Sequence, residues 1–211
     1  MLIIGLTGGI GCGKSVVSQF FRELGAYIID WDELSRDIVL PHHEAWQEIV
    51  DYFGKDVLYD DLTLNREELG KIVFGDTEKL KKLEAITHPR IAFEDFHRVK
   101  QISEVDPDAI IIKEVPLLVE VGGHHFVDRV VVVSVNKETQ MRRLVERGLP
   151  EEEAKKRIAS QSSQEEKVKV AHFVIHNDGS LQETKQQVER VYKELQIFSQ
   201  GNSREDNLHS K

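Results

Sequence analysis

Ile3–Val17 reads "IIGLTGGIGCGKSVV", and this stretch decides the fold. A short apolar run, Leu2–Leu6, ends at a glycine turn and reads as a buried strand. Lys14–Leu24 reads as a helix stopped by Gly25. Between them Gly8, Gly13, Lys14 and Ser15 satisfy G-x-x-x-x-G-K-[ST], with the strand before and the helix after that such a loop requires. Glycines let successive backbone N–H groups converge on phosphate oxygens, and the positive end of the following helix points at the same place. Lys14 is expected to reach the β- and γ-phosphates of a nucleotide and Ser15 to ligate Mg²⁺. Cys12, the only cysteine, lies inside the loop. It is expected to contribute its backbone N–H, with a thiol sensitive to oxidation or alkylation.

Working outward, Ala26–Asp30, Ala109–Ile112, Val130–Val135 and Phe173–His176 are further strands. Val131–Val133 is β-branched throughout, as a central parallel strand should be. Helical spacing occurs over Glu33–Val39, Glu44–Phe53, Arg66–Phe74, Thr77–Val99, Lys137–Arg147, Glu151–Lys169 and Leu181–Phe198. Pro89 should kink or divide its helix. The pattern is α/β: a five-stranded parallel sheet flanked by helices. Residues 1–32, 107–147 and 171–198 form the nucleotide-binding core, 33–106 a helical insertion, 148–170 a lid and 199–211 a polar, disordered tail.

The 211 residues carry a net charge of −9, which argues against broad nucleic-acid binding. No apolar run is long enough to span a bilayer. A single cysteine and no signal sequence fit a reducing cytoplasm. A guanine switch is disfavoured, because "VNKET" places Thr139 where N-K-x-D needs Asp. Glu114, in "IIIKEVPLLVE", is either a water-mediated Mg²⁺ ligand or a solvated strand end. A kinase also needs an acceptor base and cations for the transferring phosphoryl. "IIDWDEL" supplies Asp30 and Asp32, the latter also a candidate helix N-cap. "QMRRLVERG" places Arg143 and Arg147 on one helical face, with Arg142 beside them and Arg157 beyond. Their alternative is a solvated helix of Glu–Arg pairs. His42-His43 and His124-His125 read as surface loops, whereas a break at His88-Pro89 would aim an imidazole into a pocket.

Taken together, "GLTGGIGCGKS", "IDWDELSR", "THP", "EVPLLVE", "QMRRLVERG", "RIASQ" and "HNDGS" resemble the dephospho-coenzyme A kinase family, in order and along nearly the whole chain. The resemblance implies a P-loop kinase fold and transfer of the γ-phosphoryl of ATP to the ribose 3′-hydroxyl of dephospho-CoA, with Mg²⁺. It implies that Gly8, Gly9, Ile10, Gly11, Cys12, Gly13, Lys14, Ser15 and Val16 wrap the ATP phosphates, with Asn177 near the adenine. Asp32 would be the catalytic base, and Lys14, Arg143 and Arg147 would serve the transferring group. Asp32, His88, Pro116, Leu117 and Leu118 would face the CoA substrate. Val16, Trp31 and His172 stand where the family often has Thr, a small residue and Asp. The expected state is a monomer or weak homo-oligomer without nucleic-acid or membrane partners. The alternatives are another P-loop small-molecule kinase, or a nucleotide-dependent regulatory binder; Asp32 and the arginines argue against the second.

Overall fold

The computed structural model describes residues 1–208. In chain order its elements are β1 (Leu2–Thr7), α1 (Lys14–Glu23), β2 (Tyr27–Asp30), α2 (Trp31–Asp37), α3 (Glu44–Phe53), α4 (Arg66–Val73), α5 (Thr77–Val105), β3 (Ile110–Glu114), β4 (Arg129–Ser134), α6 (Lys137–Glu146), α7 (Glu151–Ala159), α8 (Gln164–Lys169), β5 (Phe173–His176) and α9 (Leu181–Leu208). The five strands form one sheet in the order β2-β3-β1-β4-β5. β1 pairs in parallel with β3 and β4, and β4 with β5. The strand leading into the glycine loop is therefore central, and the loop sits at its carboxyl end, where open α/β sheets place their sites.

The chain divides into two compact units. One comprises Met1–Ile29 and residues 102–208; the other is Asp30–Gln101. In the first, Leu2, Ile4, Leu6, Ile112, Val131, Val133 and Ile175 from the strands pack with Val17 and Phe21 of α1 and Val188 and Leu195 of α9. β4 is apolar on both faces, as its β-branched run predicts. The second unit has its own core, from Val39, Ala45, Ile49, Val57, Leu69 and Ile86. Trp31 donates its indole N–H to Asp95 at 3.0 Å, and Arg98 bonds Asp37 at 2.8 Å.

Local chemistry sets the element starts. Asn136 caps α6 by accepting from the Thr139 N–H at 2.7 Å, which accounts for the "NK" that mimics a guanine motif. Ser163 and Glu166 form a capping box that starts α8 and splits the single helical region expected over Glu151–Lys169.

Two expectations are corrected. Pro89 does not divide its helix: α5 runs unbroken from Thr77 to Val105. The carbonyl that Pro89 deprives of a partner belongs to Ala85, an exposed residue of the helix. The Leu83 and Ile86 carbonyls nearby accept from the Thr87 hydroxyl and the Arg90 guanidinium. The final helix extends to Leu208, through most of the segment read as a disordered tail, because that segment holds one glycine and no proline to stop propagation. Residues 209–211 of that tail lie outside those described.

Candidate active site

The glycine loop is held by side chains that grip its carbonyls. The Gly8 carbonyl accepts from Lys14 Nζ at 3.0 Å, the Ile10 carbonyl from Gln140 Nε2 at 2.7 Å, and the Cys12 carbonyl from Asn177 Nδ2 at 2.8 Å. Arg143 Nη1 adds a long contact to the Cys12 carbonyl at 3.5 Å. In a trans peptide the N–H points opposite the preceding carbonyl. The amides of Gly9, Gly11 and Gly13 are thus directed away from the side chains that hold their peptides. Among the described residues none of these three amides, nor that of Ser15, has a protein acceptor. Such a row of unfilled donors at a helix N-terminus is an anion cradle. Gly13 adopts φ 84°, and a Cβ there would strike the Asn177 amide, so glycine is required on both counts.

Asn177 is 4% exposed and engaged through both ends of its amide. Its amide nitrogen serves Cys12, its oxygen accepts from the Thr184 hydroxyl at 2.9 Å, and its backbone carbonyl accepts from Arg143 Nη2 at 2.7 Å. Its side chain braces the loop and does not reach out to a base. Arg143 is likewise a strut between the loop and the end of β5. Arg147 caps α6, is exposed, and has no side-chain partner among the described residues. Arg142 and Arg157 make exposed pairs with Glu146 and Glu153, the ordinary solvated-face arrangement.

Cys12 corrects its expectation. The residue is 1% exposed, and burial pushes the thiol above its ordinary value despite the opposing charges of Lys14 and Arg143. It is a packing residue of the core, shielded from solvent. Glu114 is no solvated strand end: it is buried, and the Ser18 hydroxyl of α1 donates to it. Ser15 and Val16 open α1 with exposed side chains. The Ser15 hydroxyl, with no bond among the described residues, fits a hard cation that takes oxygen ligands mostly from phosphates and water. No group of three acidic, His or Cys side chains suited to a metal occurs among the described residues.

After β3, the Thr7 hydroxyl donates to the Pro116 carbonyl at 3.1 Å. Leu117 is exposed, whereas Leu118 is 2% exposed and covers Gly5. Leu118 is a core residue and does not offer its side chain to a substrate. Glu120 then accepts from the Ser162 N–H at 2.8 Å and from Lys167 Nζ at 2.5 Å. Burial raises the Glu120 carboxyl, but Lys167 and the backbone donors outweigh it and hold it below its ordinary value.

In the second unit, Asp30 and not Asp32 caps α2, accepting from the Asp32 and Glu33 N–H groups at 2.8 and 3.3 Å. Asp32 is left exposed, its carboxylate without a hydrogen-bond partner among the described residues. Arg66 lies near enough to interact electrostatically with Asp32, and also with Arg36. Burial and then the Arg36 charge lower Arg66, while Asp32 opposes them. Sequence reasoning passed over Arg66, Gln140, Gln161, Ser18 and Thr184. Only Gln140 and Gln161 carried a signal, each ending or opening a quoted motif. His88 is exposed on unbroken α5, not turned by a helix break.

A glycine loop of this sequence, after the central strand of a parallel sheet and before a helix, defines a P-loop nucleotide-binding protein of the α/β class. The family model described as dephospho-CoA kinase matches residues 2–183. A dephospho-CoA kinase of Aquifex aeolicus is 45% identical over 193 residues, covering 91% of this chain and 96% of the relative. One from Syntrophus aciditrophicus is 43% identical, covering 92% and 83%. Among solved structures, a dephospho-CoA kinase from Campylobacter jejuni superposes with a TM-score of 0.70 at 31% identity, covering 95% and 98%. A crystal structure from Thermus thermophilus gives 0.79 at 32% identity, covering 92% and 97%. This chain belongs to the dephospho-CoA kinase family.

Proposed function

We propose that this chain transfers the γ-phosphoryl group of ATP to the ribose 3′-hydroxyl of dephospho-CoA, giving coenzyme A and ADP in the last step of coenzyme A synthesis. The observation that carries this reading is family membership across residues 2–183, with the reacting residues of the resemblance intact. Gly8–Ser15, with Val16, wraps the donor phosphates, with the amides of Gly9, Gly11 and Gly13 already aimed by the gripped carbonyls that precede them. Lys14 exchanges the Gly8 carbonyl for the β- and γ-oxygens. Asp32 takes the proton of the 3′-hydroxyl as its oxygen bonds to the γ-phosphorus and the bond to the ADP oxygen breaks; its role as base is supported by its relief from capping duty. Ser15 would hold Mg²⁺, which supplies charge neutralisation at the phosphate oxygens.

Arg147, exposed and without a side-chain partner among the described residues, serves the transferring phosphoryl better than Arg143, whose guanidinium is engaged. Residues 33–106, including His88, bind the CoA acceptor together with the Pro116–Leu117 turn. Residues 148–170 act as the lid. Catalysis rests on positioning and charge neutralisation more than on covalent work. The enzyme acts in the cytoplasm on small molecules, without nucleic acid, as a monomer or weak homo-oligomer.

The test is purified protein with Mg-ATP and a panel of alcohol acceptors, followed by mass spectrometry. Dephospho-CoA gains one phosphate and nucleosides, nucleotides and polyols do not. Turnover on one of those in preference to dephospho-CoA would overturn the reading.

A further inference from the structure

Ile10 is the one residue of the glycine loop gripped through both its own backbone groups by side chains, and both side chains are glutamines. Its N–H donates to Gln161 Oε1 at 2.8 Å, and its carbonyl accepts from Gln140 Nε2 at 2.7 Å. Gln140 comes from α6 and Gln161 from the connector between α7 and α8. The assignment of oxygen and nitrogen in each amide follows from its partner, since an N–H needs an acceptor and a carbonyl a donor. The preceding carbonyl, of Gly9, accepts from the Cys12 N–H at 3.2 Å, so the Gly9–Ile10 peptide is fixed at both ends. Gly9 packs beneath the pair: a Cβ there would lie 2.8 Å from Gln140 Nε2 and 3.8 Å from Gln161 Oε1.

The connector that carries Gln161 is itself pinned. The next residue, Ser162, donates its N–H to Glu120, and the fully buried Lys167 holds the same carboxylate. Gln140 is 8% exposed. Each glutamine is therefore presented from a restrained backbone, and neither is a freely rotating surface side chain.

We infer that Gln140 and Gln161 are positioning residues for phosphoryl transfer: together they orient the peptides around Ile10, so that the Gly11 amide faces the donor phosphates and the Ile10 amide is withheld from them. Gln140 does the first by pulling the Ile10 carbonyl, hence turning the Gly11 N–H the other way. Gln161 does the second by filling the Ile10 N–H. The glutamines act in opposite hydrogen-bonding senses, Gln140 as donor and Gln161 as acceptor. The same isosteric change should therefore have opposite consequences. A glutamate at 161 still accepts from an N–H, whereas a glutamate at 140 opposes oxygen to oxygen. Added negative charge beside the loop is common to both and predicts two similar losses.

The experiment measures the KM for ATP and kcat in the full chain for Gln140→Leu, Gln140→Glu, Gln161→Leu and Gln161→Glu, with thermal melting as a folding check. Both leucine variants should raise the KM for ATP by roughly ten-fold, the loss of one well-placed hydrogen bond. Glutamate should recover most of that loss at 161 and none at 140. Rescue at both positions, rescue at neither, or a wild-type KM in the leucine variants would overturn the inference. Where one variant fails to fold, the remaining ones decide: Gln161→Glu must have a lower KM than any folded Gln140 variant, and the reverse order sinks the idea. The inference rests on the ATP phosphates lying in the Gly8–Ser15 loop. Lys14→Ala separates the two: unimpaired ATP use in that variant refutes the loop assignment, while impairment there with no difference between the glutamines refutes only the present inference.

Discussion

At the scale of single residues, burial and hydrogen-bond commitment sort the candidates more sharply than type and spacing do. Asp30 and Asp32 are chemically alike and two positions apart, yet only Asp30 has its carboxylate occupied as a helix cap. Asp32→Asn should lower kcat by about 10²- to 10⁴-fold, the usual worth of a general base, with the KM for ATP nearly unchanged; steady-state kinetics checks it, and wild-type turnover would remove Asp32 from the base role. Cys12 shows the converse, a reactive residue type made inert. Its thiol is buried and pushed up, so the thiolate that reacts is scarce at neutral pH. Alkylation followed by mass spectrometry should be slow in the folded protein and fast in denaturant. Rapid native labelling would mean that the loop opens readily.

At the scale of elements, the strand β5 is registered by a histidine where the family often has an aspartate. His172 accepts from the Val130 N–H through its ring Nδ1 at 3.1 Å, while its backbone N–H donates to the Val130 carbonyl at 2.9 Å. The first bond requires a neutral ring. Burial, then the charge of Arg129, lowers the His172 pKa from its ordinary 6.5. A depressed folded pKa means that the unfolded chain binds the proton more readily. The contribution is therefore present above about pH 6.5 and is lost as pH falls through the folded value. His172→Asp keeps an acceptor that is still ionised there. Its melting temperature should fall less than that of the wild type between about pH 7.5 and pH 5.5. Equal losses would show that His172 does not carry acid sensitivity.

At the scale of the whole molecule, the chain forms two compact units, with the glycine loop in one and Asp32 in the other. A nucleotide that binds only the folded loop must stabilise the protein by mass action. Mg-ATP at about 100 times its Kd should add about 2.7 kcal/mol and raise the melting temperature by several degrees. Lys14→Ala should lose most of that rise. An unchanged rise would place the nucleotide elsewhere.

Much of this was legible in the sequence because it depends on local rules. Alternating apolar runs and capped helices reveal the α/β class, and G-x-x-x-x-G-K-S needs only a strand before it and a helix after. Packing alone fixes which side chains meet across long stretches of chain. Nothing in the spacing says that Gln161 reaches Ile10, that Asn177 and Arg143 brace Cys12, or that Glu114 is buried against Ser18. Nor did a lone proline foretell that α5 would continue through it, because the i−4 carbonyl that loses its partner belongs to an exposed residue, Ala85. Hydrogen-bond partners and burial are properties of the packed chain, and packing brings together residues that the sequence keeps far apart.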